Sequence, residues 1–188
     1  MKLGYVITGS FCTISRSISV LKELVKAHEV IPILSENVQS NDTRFGKASD
    51  TVKAVSDLCG RPPMMSITET ETLGPLIPLD AMIIAPCTGN TLAKLASGIT
   101  DTTALMAAKA HLRCDRPLVI ALATNDALSQ NLKNVATLLS RKGVYFVPFG
   151  QDDAENKPHS LVCDFSMIEQ TLVAALSGKQ IQPLFFEY

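Results

Sequence analysis

The chain has 188 residues, 46% of them hydrophobic and 19% charged, with 17 basic and 18 acidic side chains and a net charge of −1. That length suits one compact domain with a substantial core, and the composition excludes an intrinsically disordered chain. The absence of a cationic surplus, with 5% aromatic content and no Trp, argues against a surface built for nucleic acid or anionic lipid.

Residues 3–8 read as a short buried strand closed by a glycine turn. Ile14, Ile18, Leu21, Leu24 and Val25 recur at helical spacing, and residues 29–34 form a second strand in which Pro32 cannot donate to the ladder. Residues 46–59 are expected to be helical, with Val52, Val55 and Leu58 on one face. Pro62, Pro63, Pro75 and Pro78 make residues 61–78 a loop. Residues 80–85 are the clearest strand, an almost unbroken apolar run of the kind a parallel strand covered on both faces requires. Helices at 91–97 and 102–111 follow, then a buried strand at 117–123. A long amphipathic helix over 127–142, a short strand at 143–148 and a last helix at 165–177 precede a polar, proline-containing tail from about 178. Strand and helix patterns thus alternate five times with short links. The fold class expected is α/β, a three-layer, doubly wound, mostly parallel Rossmann-like sheet, with 1–188 as a single domain.

No apolar run approaches the roughly 20 residues of a membrane span, and the N-terminal apolar stretch stops at Gly9 and Ser10, unlike a secretory signal. Cys12, Cys59, Cys87, Cys114 and Cys163 are odd in number and scattered, with neither a disulfide framework nor a metal spacing. A reducing, cytoplasmic setting without a metal is expected.

In doubly wound sheets ligands bind beyond the carboxyl ends of the strands. Thr8-Gly9-Ser10-Phe11-Cys12-Thr13 follows the first strand. Gly9 permits close backbone approach, and the Ser10 and Thr13 hydroxyls with free amides suit one phosphate; the same residues also suit an ordinary capped turn. Neither G-x-G-x-x-G nor a Walker lysine is present. Ser35, after the second strand, is placed either to reach that anion or simply to turn the chain. After the third strand, Pro86 and Gly89 shape a loop, Asn90 offers a donor and an acceptor, and Thr91 can cap the next helix. Cys87 is an inert buried thiol or a reactive one. Lys109, Arg113 and Arg116 are either dicarboxylate anchors or solvated surface groups. Asp101 reads as a contact between copies or an N-cap. His28 and His111 close helices, and His159 lies in a polar loop.

Ala85-Pro86-Cys87-Thr88-Gly89-Asn90-Thr91 resembles the Pro-Ala-Ser-Ala-Asn-Thr signature of the FMN-binding homo-oligomeric flavoproteins. That family includes peptidyl-cysteine decarboxylases, phosphopantothenoylcysteine decarboxylase and the prenyl-flavin synthases. The following Leu-Ala-Lys-Leu-Ala-Ser-Gly-Ile-Thr-Asp is also similar, and the resemblance covers about residues 3–150. It implies FMN as cofactor, with Gly9, Ser10, Phe11 and Ser35 at the phosphate and ribityl chain. Pro86, Thr88, Asn90 and Thr91 would approach the isoalloxazine, with Ala123 and Thr124 near its opposite edge. It further implies a homo-oligomer, a trimer or dodecamer. The decarboxylases of this family carry a histidine before the third strand, where this chain has Leu73-Gly74-Pro75-Leu76-Ile77; their Pro-Ala-Met-Asn segment is replaced by Ala121-Leu122-Ala123-Thr124-Asn125. Loss of a positioned acid–base group costs about two to four orders of magnitude, so cysteine decarboxylation is rejected.

The segments 7–13, 85–91 and 123–128 are similar to one branch of the family found in spore-forming bacteria. That similarity implies one component of a two-component oxidoreductase in the mother-cell cytoplasm. It would act on a small dicarboxylate, oxidising a dihydropyridine ring to pyridine-2,6-dicarboxylate. Its partner would be a second polypeptide resembling a nicotinamide-dependent dehydrogenase. Competing expectations are a non-catalytic scaffolding component and a flavin-dependent decarboxylase or prenyltransferase with a displaced acid.

Overall fold

The computed structural model describes residues 1–186. Its centre is a strand pair with no polar side: all seven residues of β3 (Ala81–Cys87) are buried, as are six of seven in β4 (Leu118–Thr124). A strand apolar on both faces must be covered on both faces, which forces a three-layer arrangement. The sheet has seven strands in the order β2-β1-β3-β4-β7-β6, with β1 at Lys2–Ile7 and β2 at Glu29–Leu34. Strands β1 to β4 are parallel, and β5 (Val144–Phe146) adds in parallel to the first half of β4. The second half of β4 pairs instead with β7 (Leu161–Cys163), antiparallel, and β7 pairs with β6 (Phe149–Gly150).

Pro32 sits in β2, at the sheet edge, where its missing donor costs no ladder bond; its carbonyl accepts from the Met64 amide at 2.9 Å. The helices are α1 (Ile14–Leu24), α2 (Glu36–Ser40), α3 (Ala48–Cys59), α4 (Ile67–Thr70), α5 (Gly89–Ala96), α6 (Thr103–Leu112), α7 (Leu132–Leu139) and α8 (Ile168–Leu176). The stretch 61–78 is broken as expected, except for α4, whose capping box joins Ser66 to Glu69.

One expectation is corrected. The long helix over 127–142 begins only at Leu132. Its apolar spacing is helical, but the Asp126 carbonyl accepts from the amides of Ser129 and Asn131, and that turn replaces the first helical turn. The tail from 178 is held against the domain: the Gln180 side chain accepts from Phe146 N at 2.8 Å and donates to Phe146 O at 2.7 Å, and Leu184 is buried. Phe185 meets Phe149 edge-on at 5.2 Å. The tail's last two residues lie outside the described range. Strands β6 and β7 were not anticipated; at two and three residues they are too short to show a period.

Chain order reverses direction between β1 and β3, so the switch point lies there. Helix α1 is locked above it. The buried Tyr5 hydroxyl lies 3.0 Å from both the Ser17 carbonyl and hydroxyl, and Ser17 Oγ donates to Ala85 O at 2.5 Å. No helix is long and apolar enough to cross a membrane among the described residues.

Candidate functional site at the strand ends

The turn after β1 and the loop after β3 are joined by one side chain. Thr8 Oγ1 donates to Pro86 O at 2.7 Å and accepts the Thr88 amide at 3.0 Å, so two loops far apart in sequence are held side by side. Beside them opens a hollow of about 670 Å³, lined by Gly9, Ser10 and Phe11 from the first turn, Thr88 from the third, and Ala123, Thr124 and Asn125 from the end of β4. Arg16, Arg44, Phe45, Asp152 and Lys157 also line its wall. A second hollow of about 760 Å³ borders α1 and α8 and shares Arg16, but its lining includes no residue from the ends of β1, β3 or β4. Strand-end position, the property that marks ligand sites in this architecture, favours the first hollow.

Of the sequence-expected residues, Gly9, Ser10, Phe11, Thr88, Ala123 and Thr124 come together on that wall. Pro86 is inside β3 and buried, and Asn90 is exposed in the first turn of α5. Thr91 is buried: its amide donates to Thr88 Oγ1 at 3.2 Å and its hydroxyl accepts from Thr88 at 3.0 Å. Thr88, rather than Thr91, therefore caps α5. Thr13 donates its hydroxyl to Ser10 O at 2.9 Å, whereas Ser10 makes no capping bond and keeps its hydroxyl open. Ser35 stands at the end of β2, its amide bonded to Ile7 O, and its buried Oγ has no hydrogen-bond partner. A buried hydroxyl without a partner is uncommon, and Ser35 is not among the residues that line the hollow.

Behind Thr124 lies a network that sequence reading missed. Thr124 Oγ1 donates to Asp126 Oδ1 at 2.5 Å, and Asn131 Nδ2 donates to Asp126 Oδ2 at 2.9 Å. Thr124 is thereby left as an acceptor. Gly89 makes the arrangement possible, since a Cβ there would stand 2.5 Å from Asp126 Oδ1 and Thr124 Oγ1 and 2.6 Å from Asn131 Nδ2. The available signal was the Asn125-Asp126 turn pair with Asn131 at N-cap spacing. Arg44, Phe45, Asp152 and Lys157 were also missed; they sit in loops without periodicity.

Burial alone pushes the Cys87 thiol up to about 12, so at neutral pH it is an inert core thiol. Partial burial pushes the Asp152 carboxyl up, but hydrogen bonds from Lys157 and Ser160 and the Lys157 charge outweigh it and hold Asp152 below the usual carboxylate range. Asp152 is thus an ionised acceptor. None of the three histidines lines the hollow. His111 is buried with Nε2 2.9 Å from Pro117 O, a structural tie. Arg113 donates to the carbonyls of Glu71 and Leu73, and Arg116 to Leu79 O. Both arginines therefore clasp backbone instead of anchoring a dicarboxylate, and Lys109 is exposed away from the strand-end hollow. Asp101 pairs with Lys94 at 2.7 Å, and Thr102 caps α6. No group of three or more His, Cys, Asp or Glu able to hold a metal occurs among the described residues.

Comparisons with known proteins bear on the fold and the family. The chain is 45% identical to the B-type subunit of dipicolinate synthase from Bacillus subtilis (strain 168) over 187 residues, 99% of this chain and 94% of that protein. The crystal structure of the corresponding dipicolinate synthase polypeptide from Bacillus halodurans C superposes with a TM-score of 0.91 at 40% identity, covering 99% of this chain and 96% of that one. A dodecameric FMN-dependent UbiX-like decarboxylase from Escherichia coli O157:H7 superposes with a TM-score of 0.62 at 25% identity, covering 79% and 80% of the two chains. The family model described as Flavoprotein matches residues 1–179, and the chain belongs to that family.

Proposed function

We propose that this chain holds FMN in the strand-end hollow and serves as the B-type subunit of a dipicolinate synthase, helping to oxidise a dihydrodipicolinate-type precursor to pyridine-2,6-dicarboxylate during sporulation. The observation that carries the reading is the 45% identity to a B-type dipicolinate synthase polypeptide over nearly the whole of both chains. The residues fit the cofactor: an open Ser10 hydroxyl, a buried Ser35 hydroxyl lacking a partner, and a glycine turn bordering a hollow of about 670 Å³. FMN, when bound, supplies a two-electron acceptor for the hydride that leaves a dihydropyridine ring.

The chain's own residues bind and orient. The Gly9–Ser10 turn and Ser35 hold the phosphate and ribityl end. The Thr88 loop, which Thr8 locks, and the acceptor Thr124, which Asp126 locks, would contact the isoalloxazine. Pro86, Asn90 and Thr91 shape that loop from behind, and Ala123 keeps the opposite edge free of bulk. No histidine faces the hollow to position a decarboxylation proton, which favours ring oxidation over cysteine decarboxylation. The site is completed by neighbours: further copies of this chain, in a trimer or dodecamer, and the A-type subunit of dipicolinate synthase as partner.

The test is anaerobic mixing of the FMN-loaded chain, its A-type partner and a dihydrodipicolinate-type substrate. Bleaching of absorbance near about 450 nm in step with pyridine dicarboxylate formation supports the reading. No product and no bleaching in that mixture, with product forming only once a nicotinamide coenzyme is added as oxidant and flavin absorbance still unchanged, overturns it in favour of a scaffolding role.

A further inference from the structure

The wall of the strand-end hollow carries three cationic side chains, Arg16, Arg44 and Lys157, against one carboxylate, Asp152. The whole chain has 17 basic and 18 acidic residues, so this is a local surplus rather than a general surface property. Lys157 is engaged by Asp152, which also accepts from Ser160 Oγ at 2.7 Å. The two guanidiniums are different. Among the described residues neither has a hydrogen-bond or ion-pair partner.

Arg16 projects from the first turn of α1, beside Ser17, whose hydroxyl ties that turn to Ala85 O. Arg44 projects from a closed turn in which Thr43 and Gly46 exchange backbone hydrogen bonds of 3.0 and 3.1 Å, while Thr43 Oγ1 accepts from Phe45 N at 3.1 Å. Its guanidinium carbon lies 4.8 Å from the Phe45 ring centroid, which holds the planar fork at the hollow's edge. Phe45 itself is 54% exposed, an aromatic ring on the same wall that the Arg44 guanidinium covers from one side. Two unpaired forks and a flat apolar face in one concavity match a planar ring bearing two carboxylates, because guanidinium pairs bidentately with carboxylate and a cationic concavity raises the local concentration of a dianion.

We infer that Arg16 and Arg44 are the specificity residues of this site, each receiving one carboxylate of a planar aromatic or dihydroaromatic dicarboxylate. The inference rests on the functional reading above, which leaves the cofactor phosphate to the Gly9–Ser10 turn and Ser35. A flavin phosphate is also a dianion, so the shared chemistry is a doubly negative ligand, and the experiment must separate the two sources.

The FMN-loaded chain is titrated calorimetrically in metal-free buffer with pyridine-2,6-dicarboxylate and with pyridine-2-carboxylate. The dicarboxylate should bind about 10- to 100-fold more tightly, the worth of one further charge-assisted pair. Arg16→Ala and Arg44→Ala should each erase most of that preference while retaining flavin, read from visible absorbance. Lysine at either position should restore only part of it, because the charge returns without the fork. Both side chains are exposed, so folding is not at stake. A wild-type chain that holds FMN but does not distinguish the two acids overturns this inference and leaves the functional reading standing. Parallel loss of flavin in both alanine variants also overturns it, assigning the guanidiniums to the cofactor phosphate. Wild type that takes up no FMN defeats the functional reading instead; the same titrations on the flavin-free chain then decide the arginines.

Discussion

Ser35 Oγ and His111 Nδ1 are both buried and without a hydrogen-bond partner, but they stand at opposite kinds of place. Ser35 follows β2 at the carboxyl end of the sheet, where the proposal puts the flavin phosphate, whereas His111 closes α6 and grips Pro117 O, just before β4. An orphaned hydroxyl contributes nothing to the free protein and costs its desolvation, about 1–3 kcal/mol at most. Ser35→Ala should therefore leave the urea midpoint of the flavin-free chain unchanged or slightly raised, while weakening FMN about 5- to 10-fold, the worth of one hydrogen bond. A lowered midpoint would make the hydroxyl structural. At His111, burial is the main effect and holds the imidazole below its ordinary value. As pH falls through about 6.5 the unfolded chain takes up the proton first, so stability is complete above that value and declines below it. Denaturant unfolding between about pH 5 and 8 should show that slope, and His111→Gln should flatten it.

At the scale of elements, the fold was most legible where burial leaves no choice. Strands β3 and β4 are continuous apolar runs because both faces are covered, and no other element tolerates that pattern between prolines and glycines. Helix α7 was overextended because Leu128, Leu132, Val135 and Leu138 keep helical spacing, while what delays its start is a local turn in which Asp126 accepts from Ser129 and Asn131. The same residue shapes the site. Gly89→Ala would drive a methyl group into Thr124, Asp126 and Asn131 together, none of which can retreat without breaking the network. Overpacking of this kind costs about 1–3 kcal/mol. The variant should show that loss in denaturant unfolding together with weakened flavin binding; wild-type stability would mean that α5 can shift. The strand-end hydroxyls could be read from sequence because they directly follow apolar runs. Arg44, Phe45, Asp152 and Lys157 could not, since nothing in a loop's sequence states which strand end it will face.

For the molecule as a whole, sheet order does most of the positioning. The chain runs outward from β1 to β2 and returns to β3, so two loops separated by nearly half the sequence meet, and Thr8 stitches them. The antiparallel β7 takes up the second half of β4 and carries the 151–160 loop to the same rim, where Asp152 and Lys157 join the wall. Membership of the Flavoprotein family and the likeness to B-type dipicolinate synthase polypeptides follow from the whole chain rather than from any one motif. The most direct measurement is equilibrium titration of the purified flavin-free chain with FMN, followed by flavin fluorescence. Saturable quenching at one FMN per chain, weakened by Ser35→Ala, is the expected result; fluorescence that stays that of free FMN up to millimolar concentration would contradict the assignment of the hollow.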